Sequence, residues 1–343
     1  MRPFLLEAYT LEEWLATKKQ GMLMKVTIDM VNEGLRPSYW SMKIMGFMLS
    51  HVWSVSLMNM LGKLKDGSDI DGLHCQEVYI PSRYGAPDIR TRIYKPLNTP
   101  EKLPAMLYLH GGGYMLATPE NSEANIKDFI RAQPSIIIAP DYRTALEAPY
   151  PAAFDDCYDT LLWMKDHADE QGMIPDKFIV GGHSAGGGLT AAVTLKATDT
   201  CDVNIAFQMP IYPMIDDRAI NESSTSNAPV WNSKSNALGW RLYLKGIQQN
   251  AQDIPTYAAP ARATDYSGLP PTITFVGDLE PFRDETIAYV DHLRQAGIPV
   301  EFELYEGCFH AFESVVSKAE ISKTAKDFLL TKYREFVDKY VYE

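Results

Sequence analysis

Apolar residues follow two rhythms along this chain. From about Cys75 onward, short runs rich in β-branched and aromatic residues alternate with longer runs whose apolar positions recur every three or four residues. The short runs predict eight strands, at residues 76–80, 89–94, 105–109, 135–139, 178–180, 203–209, 272–276 and 300–304. Between them the helical rhythm falls near 153–167, 185–197, 284–296 and 317–340. Such alternation builds an α/β fold: a mostly parallel sheet of eight strands with helices on both faces. The run Ser-Ile-Ile-Ile-Ala at 135–139 is continuously apolar, as expected of a strand buried on both faces. The last strand alternates Val300, Phe302 and Leu304 with Glu301 and Glu303, the pattern of an edge strand protected by charge.

Two stretches break the rhythm. Residues 1–70 look helical and hold nine of the fifteen methionines, and residues 212–262 are rich in Asn, Ser, Pro and Trp with patchy helical periodicity. Both are expected to form cap elements over a catalytic domain spanning 71–343. Flexible Met side chains suit a pocket for acyl chains, although ordinary core packing is the plainer reading of such a stripe. Residues 44–61 lack Asp, Glu, Lys and Arg and approach membrane-spanning length, but Ser50, His51, Ser54, Ser56 and Asn59 interrupt them. They are expected to form a buried or pocket-covering helix, with a membrane-facing role as the lesser reading.

Composition narrows the chemistry. A formal net charge of -12 repels phosphate backbones and anionic lipid, so no nucleic-acid partner and no stable membrane insertion are expected. Cys75, Cys157, Cys201 and Cys308 are scattered with no C-x-x-C pair, which indicates neither a metal site nor a disulfide framework. The N-terminus carries Glu7, Glu12 and Glu13 early and shows no long apolar export segment, so the expected setting is cytoplasmic.

The chemistry-bearing residues sit at strand ends. Gly182-His183-Ser184-Ala185-Gly186 is a G-x-S-x-G run between a predicted strand and a predicted helix. A nucleophile held there needs a very tight turn, and glycine two positions either side removes the collision that side chains would cause. The helix start aims free N–H groups at the place where negative charge develops. His110-Gly111-Gly112-Gly113 follows another strand, and its glycines let N–H groups face a substrate. The backbone N–H groups of Gly112, Gly113 and Ala185 are the candidate oxyanion donors; such donors contribute about 3–4 kcal/mol each. A serine hydroxyl also needs a base. Of seven histidines, His310 lies in the loop after the last strand, in the chain order Ser, acid, His that such a fold uses. His110 is expected to support its own loop, His183 to point away from the hydroxyl, and Cys308 to pack. No metal or organic cofactor is called for.

Together these motifs resemble the hormone-sensitive-lipase-like carboxylesterases of the α/β-hydrolase fold. The resemblance extends to Asp141-Tyr142-Arg143, Pro149-Tyr150-Pro151-Ala152-Ala153, Pro229-Val230-Trp231-Asn232, Gly239-Trp240-Arg241 and Phe282-Arg283-Asp284-Glu285. It implies hydrolysis of short acyl esters, acetyl to hexanoyl, through an acyl-enzyme on Ser184. It also implies an acid in the segment Glu280-Pro281-Phe282-Arg283-Asp284-Glu285, where the family's D-P-[LF]-R-D-E pattern puts Glu280 in the place of an Asp. Asp278 is the competing acid, and Asp284 reads as structural. A second departure is His183, where the family commonly has Asp. Amide hydrolysis and acyl transfer to an alcohol are related chemistries. A non-catalytic binder is the rival from another class, since plant gibberellin receptors resemble this family but lack the histidine that His310 supplies here. Some relatives pair edge strands as homodimers, and the glutamates of 300–304 could equally prevent this.

Overall fold

A computed structural model describes residues 24–343 except 84, 99–101 and 250–252. Residues 1–23 of the first expected cap segment and 250–252 of the second therefore lie outside the described residues.

Eight strands form one sheet: β1 Leu73–Ile80, β2 Ile89–Pro96, β3 Ala105–Leu109, β4 Ile136–Pro140, β5 Phe178–His183, β6 Ile205–Ile211, β7 Thr272–Gly277 and β8 Val300–Tyr305. Their order is β1-β2-β4-β3-β5-β6-β7-β8. Only β2 runs against its neighbours; every pairing from β4 to β8 is parallel. The α/β expectation is met, with all eight strands near their predicted positions. At the β8 edge, Leu304 is 44% exposed, so the apolar residues of that strand do not all reach the core.

Alternation along the central strands supplies two cores, one on each face. Ala105, Leu107 and Leu109 of β3 pack with α4 (Ala152–Asp166) and α5 (Ala185–Thr200), while Met106 and Tyr108 pack on the other side. That side is covered by α3 (Glu123–Ala132) and α8 (Glu320–Phe336). The buried set of α8, Ala325, Leu329, Tyr333 and Phe336, repeats at helical spacing. Helix α3 was not among the expected elements. Its ten residues bury Ile126, Phe129 and Ile130, a stripe at helical spacing opposite charged positions but little more than one turn long. Helix α7 (Arg283–Gln295) packs Tyr289 and Leu293 against Ala191 and Leu195 of α5.

The stretch 44–61 is not one helix. It divides into parts of α1 (Tyr39–Met48) and α2 (Val52–Gly62), bent by 103° across the break. The cause is local. Ser50 Oγ donates to Gly46 O at 2.7 Å, and His51 Nδ1 donates to Phe47 O at 2.8 Å, so side chains hydrogen-bond the last carbonyls of α1. His51 itself is extended. Among the described residues no single helix is long and apolar enough to cross a membrane. The burial expected of this stretch is also incomplete, because Ile44, Phe47, Trp53 and Met60 are exposed. The inner side is close-packed: a Cβ on Gly46 would meet Asn232 Nδ2 at 2.9 Å and Val230 O at 3.1 Å. Helix α6 (Ser233–Tyr243) completes this covering region, capped by Asn232, which accepts from the N–H groups of Lys234 and Ser235.

Candidate active site

Strand register decides which loops meet. Leu109 at the end of β3 pairs with Gly182 of β5, so the His110–Gly113 loop and the Ser184 turn leave the sheet side by side. Gly277 at the end of β7 pairs with Tyr305 of β8, which juxtaposes the loops carrying Glu280 and His310. Parallel strands thereby deliver all four loops to one edge of the sheet.

Ser184 has φ 59° and ψ -120°, a conformation that side chains disfavour and that the surrounding turn enforces. The space around it excludes any larger flanking residue. A Cβ on Gly182 would lie 2.4 Å from Leu109 O, and one on Gly186 would lie 2.0 Å from the same oxygen. Ser184 N–H donates to Ile211 O at 2.9 Å, which ties the turn to the end of β6.

Ser184 Oγ lies 2.9 Å from His310 Nε2, and the opposite ring nitrogen, Nδ1, is hydrogen-bonded to Glu280 Oε2. All three side chains are buried, Glu280 completely. The remaining carboxylate oxygen, Oε1, accepts from Gly277 N–H at 3.1 Å. A carboxylate on Nδ1 places the proton there and leaves Nε2 free to accept from the serine hydroxyl. Asp278 is directed elsewhere: its Oδ1 accepts from Cys308 N–H at 3.3 Å, and burial raises its pKa. Asp284 accepts from Ser223 N–H at 2.9 Å and pairs with Arg283, while buried Glu285 accepts from Ile215 N–H at 2.8 Å. Both brace loops rather than meeting His310.

Gly112 and Gly113 have φ of 126° and 61°, and a Cβ on either would strike Leu116 O or Trp231 Cη2 at about 2 Å. Among the described residues their N–H groups make no loop hydrogen bond. Ala185, as the first residue of α5, has no intrahelical acceptor for its N–H either. His110 stacks on Tyr142 at 4.0 Å, and Tyr142 Oη donates to His110 O at 2.7 Å, so this histidine holds its loop. Burial lowers its pKa to about 4. Cys308 is buried, and burial pushes its thiol up.

These groups open on a cavity of about 190 Å³. Leu49, Leu116, Val230 and Trp231 supply its apolar wall, and Ser122, Asn125, His183, Tyr212 and Ser314 supply a polar one. Sequence reasoning missed the second wall. Tyr212 meets His310 edge-on at 4.9 Å and donates to buried Glu313 Oε1 at 2.5 Å. Burial raises the pKa of Glu313. The contact joins residues 101 positions apart, which no local pattern reveals; the only clue was a carboxylate three residues after His310.

Residues 106–314 match the family described as alpha/beta hydrolase fold. The chain is 32% identical over 228 residues to esterase LipI of Mycobacterium tuberculosis, covering 65% of this chain and 71% of that one. It is 32% identical to carboxylesterase NlhH of the same organism over 66% of this chain and 72% of that one. Among solved structures a bacterial heroin esterase superposes with a TM-score of 0.80 at 32% identity, over 91% of this chain and 99% of that one.

Proposed function

Because this chain belongs to the hormone-sensitive-lipase-like esterases of the α/β-hydrolase superfamily and is an ester-hydrolysing enzyme, we propose that Ser184 is its nucleophile, His310 its general base and Glu280 its triad acid. The observation that carries this reading is the unbroken hydrogen-bonded line from Ser184 Oγ through the imidazole to Glu280.

In the first half-reaction Ser184 Oγ attacks the ester carbonyl carbon as its proton passes to His310 Nε2. The carbonyl oxygen becomes an oxyanion held by the N–H groups of Gly112, Gly113 and Ala185. The carbon–oxygen bond to the alcohol breaks, and His310 returns the proton to that leaving oxygen. Water then gives a proton to His310 while attacking the acyl-enzyme, and collapse of the second intermediate breaks the bond to Ser184 Oγ, which takes that proton back from His310 as the acid is released. Glu280 keeps Nδ1 protonated and stabilises the imidazolium formed in each half.

Short acyl esters are the proposed substrates. The cavity, about 190 Å³, falls below the ~300–1,000 Å³ typical of sites for drug-sized ligands, and the indole of Trp231 closes over Gly113. The segments contributing Leu49, Val230 and Trp231 act as the cap in this reading. A cytoplasmic setting belongs to it as well, in keeping with four unpaired cysteines.

The test is a p-nitrophenyl butyrate assay paired with fluorophosphonate labelling. The wild type is expected to show turnover and a label on Ser184, and Ser184→Ala to lose both. Labelling of another residue, or hydrolysis retained by Ser184→Ala, would remove Ser184 from its role.

A further inference from the structure

The polar wall of the cavity is organised by a hydrogen-bonded relay. Asn125 Nδ2 donates to Tyr108 Oη at 3.2 Å, and Tyr108 Oη stands 3.1 Å from His183 Nδ1. The Asn125 amide and the Ser122 hydroxyl both reach this phenol, and with the phenolic proton turned to the imidazole Nδ1 accepts. Burial lowers the His183 pKa to about 3, which keeps the ring neutral and its single proton on Nε2. Among the described residues Nε2 has no hydrogen-bond partner, although the side chain lines the cavity beside Ser184. An N–H donor is therefore fixed at the wall and left for a ligand.

The relay also lies beside the imidazole that serves the leaving group, since Tyr212 touches both rings. The departing oxygen must receive its proton from His310 Nε2, and Tyr212, which meets His310 at 4.9 Å, meets His183 at 5.6 Å. Ser314, four residues after His310, adds a hydroxyl to the same wall. The apolar residues come from different segments, through Leu49 and Trp231. An ester lying across Ser184 would thus find apolar surface for its acyl chain and donors for its alcohol.

We propose that His183, positioned by Tyr108 and Asn125, binds a hydroxyl or ether oxygen on the alcohol side of the substrate, so that the enzyme prefers short-chain esters of polyhydroxylated alcohols, such as glycerol or sugars, to alkyl esters of similar size. This inference rests on the esterase reading of Ser184, and the experiment separates the two. Glyceryl monobutyrate and n-pentyl butyrate carry the same acyl group on alcohols of equal heavy-atom count. The wild type is expected to favour the glyceryl ester in kcat/KM by about tenfold, the scale of one net hydrogen bond in a site already shielded from water. His183→Phe and, separately, Asn125→Leu are each expected to bring that ratio close to one, chiefly by raising KM for the glyceryl ester. Asn125 is half-buried on α3 and keeps the measurement available if His183→Phe fails to fold. A wild-type ratio near one, or a ratio unchanged in a folded variant that still takes the fluorophosphonate label, overturns the inference alone. Absence of both ester turnover and labelling in the wild type overturns the esterase site and this inference with it.

Discussion

The loops at the sheet edge and the segments that cover them line one cavity, yet they are enclosed to different degrees. Around Ser184 the backbone is fixed by strand register, by the N–H bond to Ile211 O and by the absence of room for a Cβ at Gly182 or Gly186. The covering helices α1 and α2 pack on one side only, tied there by Val230 N–H to Met42 O at 2.9 Å and by Asn59 to Met115 O and Ala117 N–H, and Ile44, Phe47 and Trp53 stand more than half exposed on the other. Backbone constraint suits chemistry, since a hydroxyl and an imidazole lose their function when displaced by about 1 Å. One-sided packing suits substrate fit, which can be altered residue by residue without unmaking the fold.

The sharpest way to break that comparison is to change the acid. Both oxygens of Glu280 accept hydrogen bonds, one from His310 Nδ1 and one from Gly277 N–H. Glu280→Gln must turn an NH2 group toward one of these donors and also removes the charge that stabilises the imidazolium. Turnover is expected to fall by about 10³- to 10⁴-fold. Asp278→Asn touches only backbone N–H contacts from Gly307 and Cys308, not His310, and is expected to change turnover by less than about tenfold. Steady-state kinetics of both variants on one p-nitrophenyl ester decides between them; the opposite ranking would transfer the role to Asp278.

What the sequence revealed divides along the same line. The meeting of Ser184, His310 and the glycines of 110–113 was legible because each lies in a loop after a strand and the glycines at 112 and 113 answer local steric demands. Helix α3 went unread although Ile126, Phe129 and Ile130 recur at helical spacing, because that stripe spans little more than one turn. The break between α1 and α2 was hidden because its cause, Ser50 and His51 bonding back to carbonyls four residues earlier, is a matter of side-chain geometry rather than composition. Tyr212 and Glu313 were hidden for a third reason: their contact exists only once β6 and the His310 loop are brought together. Local sterics can be read along a chain, whereas long-range polar pairing cannot.

A covering-segment residue that faces inward should tune the reaction without abolishing it. Leu49, at the end of α1, is 7% exposed and contributes to the apolar wall. Leu49→Trp adds volume there and is expected to move the optimum in a p-nitrophenyl series from acetate to hexanoate toward shorter chains. Each methylene that no longer fits should cost about 1–3 kcal/mol in kcat/KM, with acetate least affected. A uniform loss across the series would instead mean that the triad geometry had shifted, and the separation between the two regions would fail.

The smallest effect is expected one turn earlier in the same helix. Ile44 is 63% exposed, and its side chain points away from the packed side where Gly46 approaches Asn232 and Val230. Ile44→Ser removes no buried contact, so unfolding stability should change by no more than about 0.5 kcal/mol and kcat/KM on the butyrate ester should stay at the wild-type value. Urea denaturation and the same ester assay measure both. The contrast with Leu49→Trp, five residues along one chain segment, isolates which side of α1 communicates with the cavity. A marked drop in activity from Ile44→Ser would show that the outward face also governs access, and that α1 works as a moving cover rather than a wall fixed from within.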